Sequence, residues 1–404
     1  MLPTSIQGGV PIVPCKFYPN TYTDKVQILK DNKKKSGVYF WENLSNKKRY
    51  VGSSVDLTRR IYVYFNVRGL KKHYHTSTPP TLHPWFITGF ADAESSFILL
   101  INKNSQYKTG YSLQASFSIQ LHKKDRALLE NIASFYGVGN ITKAAPEAAP
   151  AADGGCCAAP EAAPAADGGC CAGVDSISYR VTSLKDINRV IIPHFEKYPL
   201  ISKKRADYEL WKQVVELMNC KEHLTPAGFQ IILAIKASLN IGLSDVLNTA
   251  FPTITRIPRP LVQLPEKIDP YWVAGFVSGE GCFYVKILKS ETHKLGTRVG
   301  LVFTVVQHSR DEELLKALIM IFNCGRYALR KNKLAGNFVV DKFSDVQLKI
   351  VPFFDQYSIQ GEKSLDFADF KRASDRMKSG GHLTPEGLEQ ISKIKEGMNT
   401  GRSS

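Results

Sequence analysis

Long apolar runs are missing from this 404-residue chain, and no stretch approaches the about 20 residues that cross a bilayer. A membrane-spanning protein is therefore not expected. The opening segment MLPTSIQGGVPIVPCKFYPN has neither the basic start and apolar stretch of a secretory signal nor the Arg-rich helix of an organelle import signal. Cysteine is sparse and badly spaced for structural use. Of eight, four form the neighbouring pairs Cys156–Cys157 and Cys170–Cys171, and Cys15, Cys220, Cys282 and Cys324 are scattered. Neighbouring cysteines do not readily bridge each other, and no CxxC spacing offers a zinc site, so a reducing compartment is the default. Acidic residues are also short: 37 Asp and Glu face 53 Lys and Arg, for a net charge of +16. That surplus favours a polyanionic partner, nucleic acid before an anionic membrane. The 43% hydrophobic content is enough to fold several domains.

What the chain does contain is a repeat. PWFITGFADAESSF from Pro84 aligns with PYWVAGFVSGEGCF from Pro270, matching Glu94 to Glu280 at an offset of 186 (280 − 94 = 186). The register holds through Phe117 and Phe303, His122 and His308, Asp125 and Asp311, to Gly139 and Gly325. Further on, HLTPAG from His223 aligns with HLTPEG from His382 at an offset of 159 (382 − 223 = 159). The first copy thus carries 27 extra residues (186 − 159 = 27). AAPEAAPAADGGCC, occurring twice in tandem over 144–171, accounts for them to within one residue. It is read as a solvated insertion between two strands.

Periodicity predicts an α-β-β-α-β-β-α order in each copy. Residues 84–94 and 270–280 are expected to be helices, followed by strands such as SSFILLINK and GCFYVKILK. DRALLENIASFY and DEELLKALIMIF are expected to be helices capped by Asp125 and Asp311. The units expected are 1–80 as an N-terminal extension, 81–245 and 270–404 as the two repeats, and a stiff, extended Pro-rich linker over 246–269.

Small residues four apart on the two repeat helices, Gly89 and Ala93, then Gly275 and Gly279, allow close backbone approach. Each helix is otherwise apolar and ends in an acid. If the copies pack about a pseudo-twofold axis, Glu94 and Glu280 meet at one end of the pair. Adjacent carboxylates repel, and divalent metal relieves that repulsion. Metal so held activates water for phosphodiester cleavage.

ITGFADAES (Ile87–Ser95) and VAGFVSGEG (Val273–Gly281) resemble the paired motifs of the single-chain, two-repeat LAGLIDADG homing endonucleases of the fungal mitochondrial, intron-encoded type. The similarity covers residues 81–404. It implies an α+β fold with two pseudo-twofold αββαββα repeats, a central two-helix interface and antiparallel DNA-binding sheets. It implies a monomeric, site-specific double-strand DNA endonuclease of the mitochondrion. Catalysis and metal binding fall on Glu94 and Glu280, with Mg²⁺ as cofactor, Mn²⁺ as a substitute and Ca²⁺ supporting binding without cleavage. Lys204 and Lys363, which are repeat mates (363 − 204 = 159), are further candidates for catalysis. Base and phosphate contacts are expected from Asn102, Lys103, Asn104, Ser116, Ser118, Gln120, Lys286, Lys289, Arg298, Arg330, Lys331 and Lys333. Ser95 stands where Gly is usual after the first acid, and Ser278 where Asp is usual in the second motif. The alternative function is a maturase that binds its host intron RNA on the same fold.

Residues 36–65 resemble a second nuclease family, GIY-YIG, through Gly37–Tyr39, Tyr50–Gly52 and Arg60. In that family a downstream Glu ligates metal, but no acidic residue occurs between Arg60 and Thr88. The resemblance implies a truncated, inactive remnant whose candidate residues are Tyr39, Tyr50 and Arg60.

The offset arithmetic generates the first prediction. Deleting residues 144–171 should leave cooperative unfolding intact, with DNA affinity changed by less than about threefold. Thermal unfolding and a binding titration check it.

Overall fold

The computed structural model describes residue 18 and residues 24–42, 49–65, 82–143, 175–293, 295–330 and 334–402. The 144–171 insertion, Lys331 and Lys333 lie outside the described residues. The chain divides into two compact units, Met1–Pro80 and Thr81–Ser404.

The first unit has a helix (Lys25–Asp31), an antiparallel hairpin of β1 (Gly37–Glu42) and β2 (Arg49–Ser54), and a second helix (Leu57–Phe65). Ile28, Leu57 and Ile61 form its small core, joined by Tyr18, Leu29 and Tyr39. No helix among the described residues is long and apolar enough to cross a membrane.

The second unit holds two four-stranded antiparallel sheets of identical topology. The first runs β3 (Ser95–Lys103), β4 (Tyr111–His122), β6 (Ser176–Val181), β5 (Asn140–Lys143). The second runs β7 (Gly281–Lys289), β8 (Thr297–His308), β10 (Ala335–Val340), β9 (Arg326–Leu329). Register assigns the faces, because side chains alternate along a strand. Phe97 opposite Phe117 opposite Val181, and Phe283 opposite Phe303 opposite Val340, turn toward the helices and are buried. The other faces carry the even-numbered residues of β3 and β4, and of β7 and β8.

The α+β repeat is as expected, and each copy continues further than αββαββα. The helix after the fourth strand passes through a π-helical turn, Ile187–Ile191 or Val346–Ile350. Beyond it come Lys204–Asn219 and Pro226–Ser238 in the first copy, and Lys363–Lys378 and Pro385–Glu396 in the second. These helices roof each sheet. Behind them Asn240 and Asn399, both with positive φ, donate Nδ2 to the carbonyls of Phe97 and Phe283. β3 and β7 are edge strands, and these bonds occupy acceptors that an open edge would expose.

Two expectations need correcting. Asp125 and Asp311 occupy N-cap positions of Arg126–Tyr136 and Glu312–Phe322, but neither carboxylate caps its own helix. The predicted linker is not extended throughout. It begins with a helix, Asp245–Ala250, capped by Ser244. Arg259 then ties the chain to Asp207 at 2.7 Å and to the Ser238 carbonyl at 2.7 Å.

The two motif helices, Pro84–Glu94 and Pro270–Glu280, pack backbone to backbone. A Cβ on Gly89 would overlap the carbonyl oxygen of Trp272, and one on Gly275 would overlap that of Phe86. The second prediction follows. Gly89→Ala or Gly275→Ala should destabilise the second unit by at least about 1–3 kcal/mol, the range for overpacking, because backbone cannot move aside as a side-chain tip can. Urea denaturation measures it.

Candidate active site

Both motif helices begin with proline at the first position and are mostly apolar, with Thr88, Asp92 and Ser278 as polar interruptions before the terminal acids. They end together, which brings Glu94 and Glu280 to the same place. The contact is close: a Cβ on Gly279 would stand 3.2 Å from Glu94 Oε1. Both carboxyls are pushed up from their ordinary values, Glu94 to about 7 and Glu280 to about 8. Burial is the main cause for each, and for Glu280 the charge of Glu94 comes next. Lys363 is the strongest opposing charge on Glu94, and Lys204 on Glu280. The two lysines thus join the carboxylates in one cluster.

Each lysine opens a helix that follows its own repeat's sheet. Lys204 Nζ donates to the carbonyls of Ala91 at 3.2 Å and Ala93 at 3.1 Å. Lys363 Nζ donates to the carbonyl of Gly279. The last turns of the motif helices therefore cradle both ammonium groups beside the acids. Burial lowers the pKa of Lys204, while Asp92, Glu280 and Glu94 oppose that shift.

Asp92 and Ser278, the sixth positions of the two motifs, turn out to be anchors. Asp92 accepts from Ile201 N at 2.8 Å, Ser202 N at 3.2 Å, Ser202 Oγ at 2.6 Å and, across the interface, Trp272 Nε1 at 2.8 Å. Ser278 Oγ accepts from Gln360 N at 3.1 Å, and Gln360 is the repeat mate of Ile201 (360 − 201 = 159). The departure from Asp in the second motif weakens an anchor and leaves the acid cluster unchanged.

Among the described residues no group of three or more His, Cys, Asp or Glu could hold a metal. Glu94 and Glu280 alone supply carboxylate oxygens. Mg²⁺ commonly takes one or two carboxylates and completes its shell with water and substrate phosphate. The donor set therefore fits a metal shared with a phosphate backbone.

Of the expected contact residues, Asn102, Gln120, Lys286 and Arg298 lie on the helix-free sheet faces by strand parity, and Arg330 directly follows β9. Lys286 Nζ sits 5.9 Å from the Tyr284 ring, and Arg330 Nε donates to Asn337 Oδ1 at 2.9 Å. Ser116 and Ser118 share that face but are 2% and 5% exposed; Ser118 stands opposite Arg180 of β6 and Ser116 opposite Ile98 of β3. Lys103 and Lys289 have the opposite parity, that of Phe97 and Phe283, and extend from strand ends. Asn104 caps the turn after β3, accepting from Gln106 N at 3.0 Å. Residues absent from the sequence-based set include Arg180, Ser178 and Thr304, whose Nε, Oγ and Oγ1 atoms are buried without a hydrogen-bond partner among the described residues. Gln307 was missed as well. It hydrogen-bonds Glu280, whereas its repeat mate is Leu121 (307 − 121 = 186). A lone polar residue at a core-parity strand position was the available signal.

In the first unit, Arg60 Nε donates to the Tyr39 hydroxyl at 3.0 Å, so two of the three residues carrying the GIY-YIG resemblance touch. Tyr50 lies in β2 opposite Trp41.

The chain matches the LAGLIDADG endonuclease family over residues 87–149, 172–215 and 273–374, and the GIY-YIG catalytic domain over residues 35–106. It belongs to the LAGLIDADG endonuclease family. The GIY-YIG match runs past residue 84 into a helix and strand that are built into the first repeat's sheet. Two curated relatives from Neurospora crassa are similar. "Probable intron-encoded endonuclease 2" is 38% identical over 83% of this chain and 69% of its own length. "Probable intron-encoded endonuclease 3" is 34% identical over 80% of this chain, which spans 56% of that relative. Among solved structures, the I-SmaMI LAGLIDADG homing endonuclease bound to cleaved DNA is 41% identical with a TM-score of 0.71, over 80% of this chain and 98% of that one. I-SmaMI has also been solved on uncleaved DNA with calcium ions, and as a double lysine-to-alanine mutant.

The raised carboxyl pKa values generate the third prediction. The folded state keeps protons on Glu94 and Glu280 that the unfolded chain, with its ordinary value of 4.5, has released. Their contribution to stability is therefore fully present below 4.5 and is lost as pH climbs through about 7 and about 8. In metal-free buffer the unfolding temperature of Glu280→Gln should rise relative to wild type as pH increases from about 6 to about 9. Comparing the two proteins cancels His194, which burial holds near a pKa of about 4. A difference independent of pH would contradict the assignment.

Proposed function

We propose that the chain is a site-specific endonuclease that hydrolyses both strands of duplex DNA with divalent metal. The observation that carries this is the meeting of Glu94 and Glu280, half-buried and flanked by Lys204 and Lys363, at the ends of two packed motif helices. Glu94 and Glu280 would hold divalent metal, Mg²⁺ in this reading with Mn²⁺ as a substitute, and that metal would supply Lewis-acid activation of water and charge to stabilise the leaving oxygen. The two lysines, tethered to helix-end carbonyls, place ammonium groups where phosphate charge develops. A parallel in I-SmaMI supports their role. The lysines exchanged in its double mutant are as far apart as Lys204 and Lys363, 159 positions.

The helix-free faces of the two sheets are the proposed readout surface, with Asn102, Gln120, Arg180, Lys286, Arg298 and Arg330 as its polar reach. Phosphate neutralisation by the basic chain sets affinity, and these strand residues set sequence preference. The protein acts as a monomer, since one chain supplies both acids. Mitochondrial residence is proposed from the intron-encoded fungal relatives. Retention of both acids supports cleavage over the intron RNA maturase alternative, and no observation favours the latter.

The fourth prediction separates binding from chemistry. Glu94→Gln and Glu280→Gln keep shape but remove the charge that holds metal. Cleavage in Mg²⁺ should fall by orders of magnitude, while affinity in Ca²⁺ stays within about tenfold, or about 1.4 kcal/mol. Full-rate cleavage by either variant, or by wild type in excess chelator, would sink this reading.

A further inference from the structure

Asp125 and Asp311 look in sequence like ordinary helix caps, and the structure turns both outward. Asp125 Oδ1 accepts from the backbone N–H of Glu362 at 2.7 Å, in the other repeat. Asp311 Oδ1 accepts from the backbone N–H of Lys203 at 2.7 Å, again in the other repeat. The two amides are repeat mates (362 − 203 = 159), as are the two acids (311 − 125 = 186). Each amide immediately precedes the lysine that opens its helix, Lys363 or Lys204.

Leaving a cap position without its local bond costs about 1 kcal/mol. Both copies nonetheless make the same exchange of a local bond for a crossed one. The local geometry is adapted to it. Gly361 takes φ +74°, and a Cβ there would run into Asp125 Oδ1. Asp311 is 4% exposed and is also flanked by Arg310, whose Nε lies 3.7 Å from Asp311 Oδ2.

We propose that Asp125 and Asp311 are positioning residues for cleavage, each setting the lysine of the opposite repeat. The proposal rests on the endonuclease reading above. A crossed arrangement makes each lysine's position depend on correct docking of both repeats, so neither half-site is complete in a misdocked molecule. The two crossings are unequal. The Lys204 segment is also held by the Asp92 carboxylate through Ile201 N, Ser202 N and Ser202 Oγ, whereas among the described residues the corresponding anchor of the Lys363 segment is the Ser278 hydroxyl on Gln360 N. Lys363 therefore depends more on Asp125 than Lys204 does on Asp311.

Strand-resolved nicking of duplexes labelled on one strand tests this. Lys204→Ala and Lys363→Ala first establish which strand each lysine serves. Asp125→Leu should slow the Lys363-dependent strand at least about tenfold and the other less than about threefold. Asp311→Leu should slow the Lys204-dependent strand by a smaller factor. Asn at either position keeps the acceptor oxygen but not the charge, and should restore the rate. Amide exchange should accelerate at Glu362 in Asp125→Leu and at Lys203 in Asp311→Leu, and stay slow in the Asn variants. The proposal is overturned if the Leu variants slow both strands equally in step with a lower unfolding temperature, or leave both rates unchanged. It is overturned too if exchange at these amides does not respond. In each of those cases, wild-type cleavage abolished by Glu280→Gln would still uphold the endonuclease reading. Wild-type protein that cuts neither strand in Mg²⁺ would overturn both.

Discussion

The second unit depends on one contact, the backbone-to-backbone approach of the motif helices at Gly89 and Gly275. No side chain separates the helices where Gly89 meets the Trp272 carbonyl and Gly275 meets that of Phe86. That closeness brings the helix ends together and forces Glu94 and Glu280 into one half-buried site. Burial raises the pKa of both carboxyls, and at Glu280 the neighbouring charge of Glu94 raises it further. On the proposed reading, a divalent cation held there would displace the protons that the site keeps near neutral pH. Its readiness for metal is thus a consequence of helix packing.

Around this contact the molecule is organised by exchange between the copies. Trp272 donates to Asp92 across the interface, Asp311 holds Lys203 and Asp125 holds Glu362. The apolar cores follow the same pattern. Ala274 of the second motif helix packs into the first core, and Ile201 of the first copy into the second. Each repeat therefore finishes part of the other, which joins the two sheets to one central site. The pseudo-symmetry is broken in a few places. Ser278 replaces the anchor carboxylate of Asp92, and Gln307 bonds Glu280 where the first copy has Leu121. Such breaks give two half-sites with unlike surroundings, suited to a substrate whose two strands differ in sequence.

The first unit stands apart from this design. Among the described residues its helices and hairpin enclose Ile28, Leu57 and Ile61, and Arg60 bonds Tyr39. The family match that begins there continues into residues which the second unit uses for its own motif helix and first strand. One stretch of chain cannot serve two folds, and packing of Pro84–Glu94 against Pro270–Glu280 decides between them.

Much was legible without coordinates. The repeat offset, the helix-ending acids, the small residues at i and i+4 and the lysine mates are one-dimensional facts, because helical period and duplication leave regular marks in sequence. Strand parity was legible in part. Alternation separated Phe117 and Ile119 from Ser116 and Ser118, but did not reveal that both serines would be buried on their own face. Depth on a sheet face depends on neighbours from other strands, and those pairings join residues tens of positions apart. The partners of Asp125 and Asp311 were out of reach for the same reason. An Asp before a helix has a local amide to cap and a distant one to meet, and only the docking of two whole repeats determined which it took.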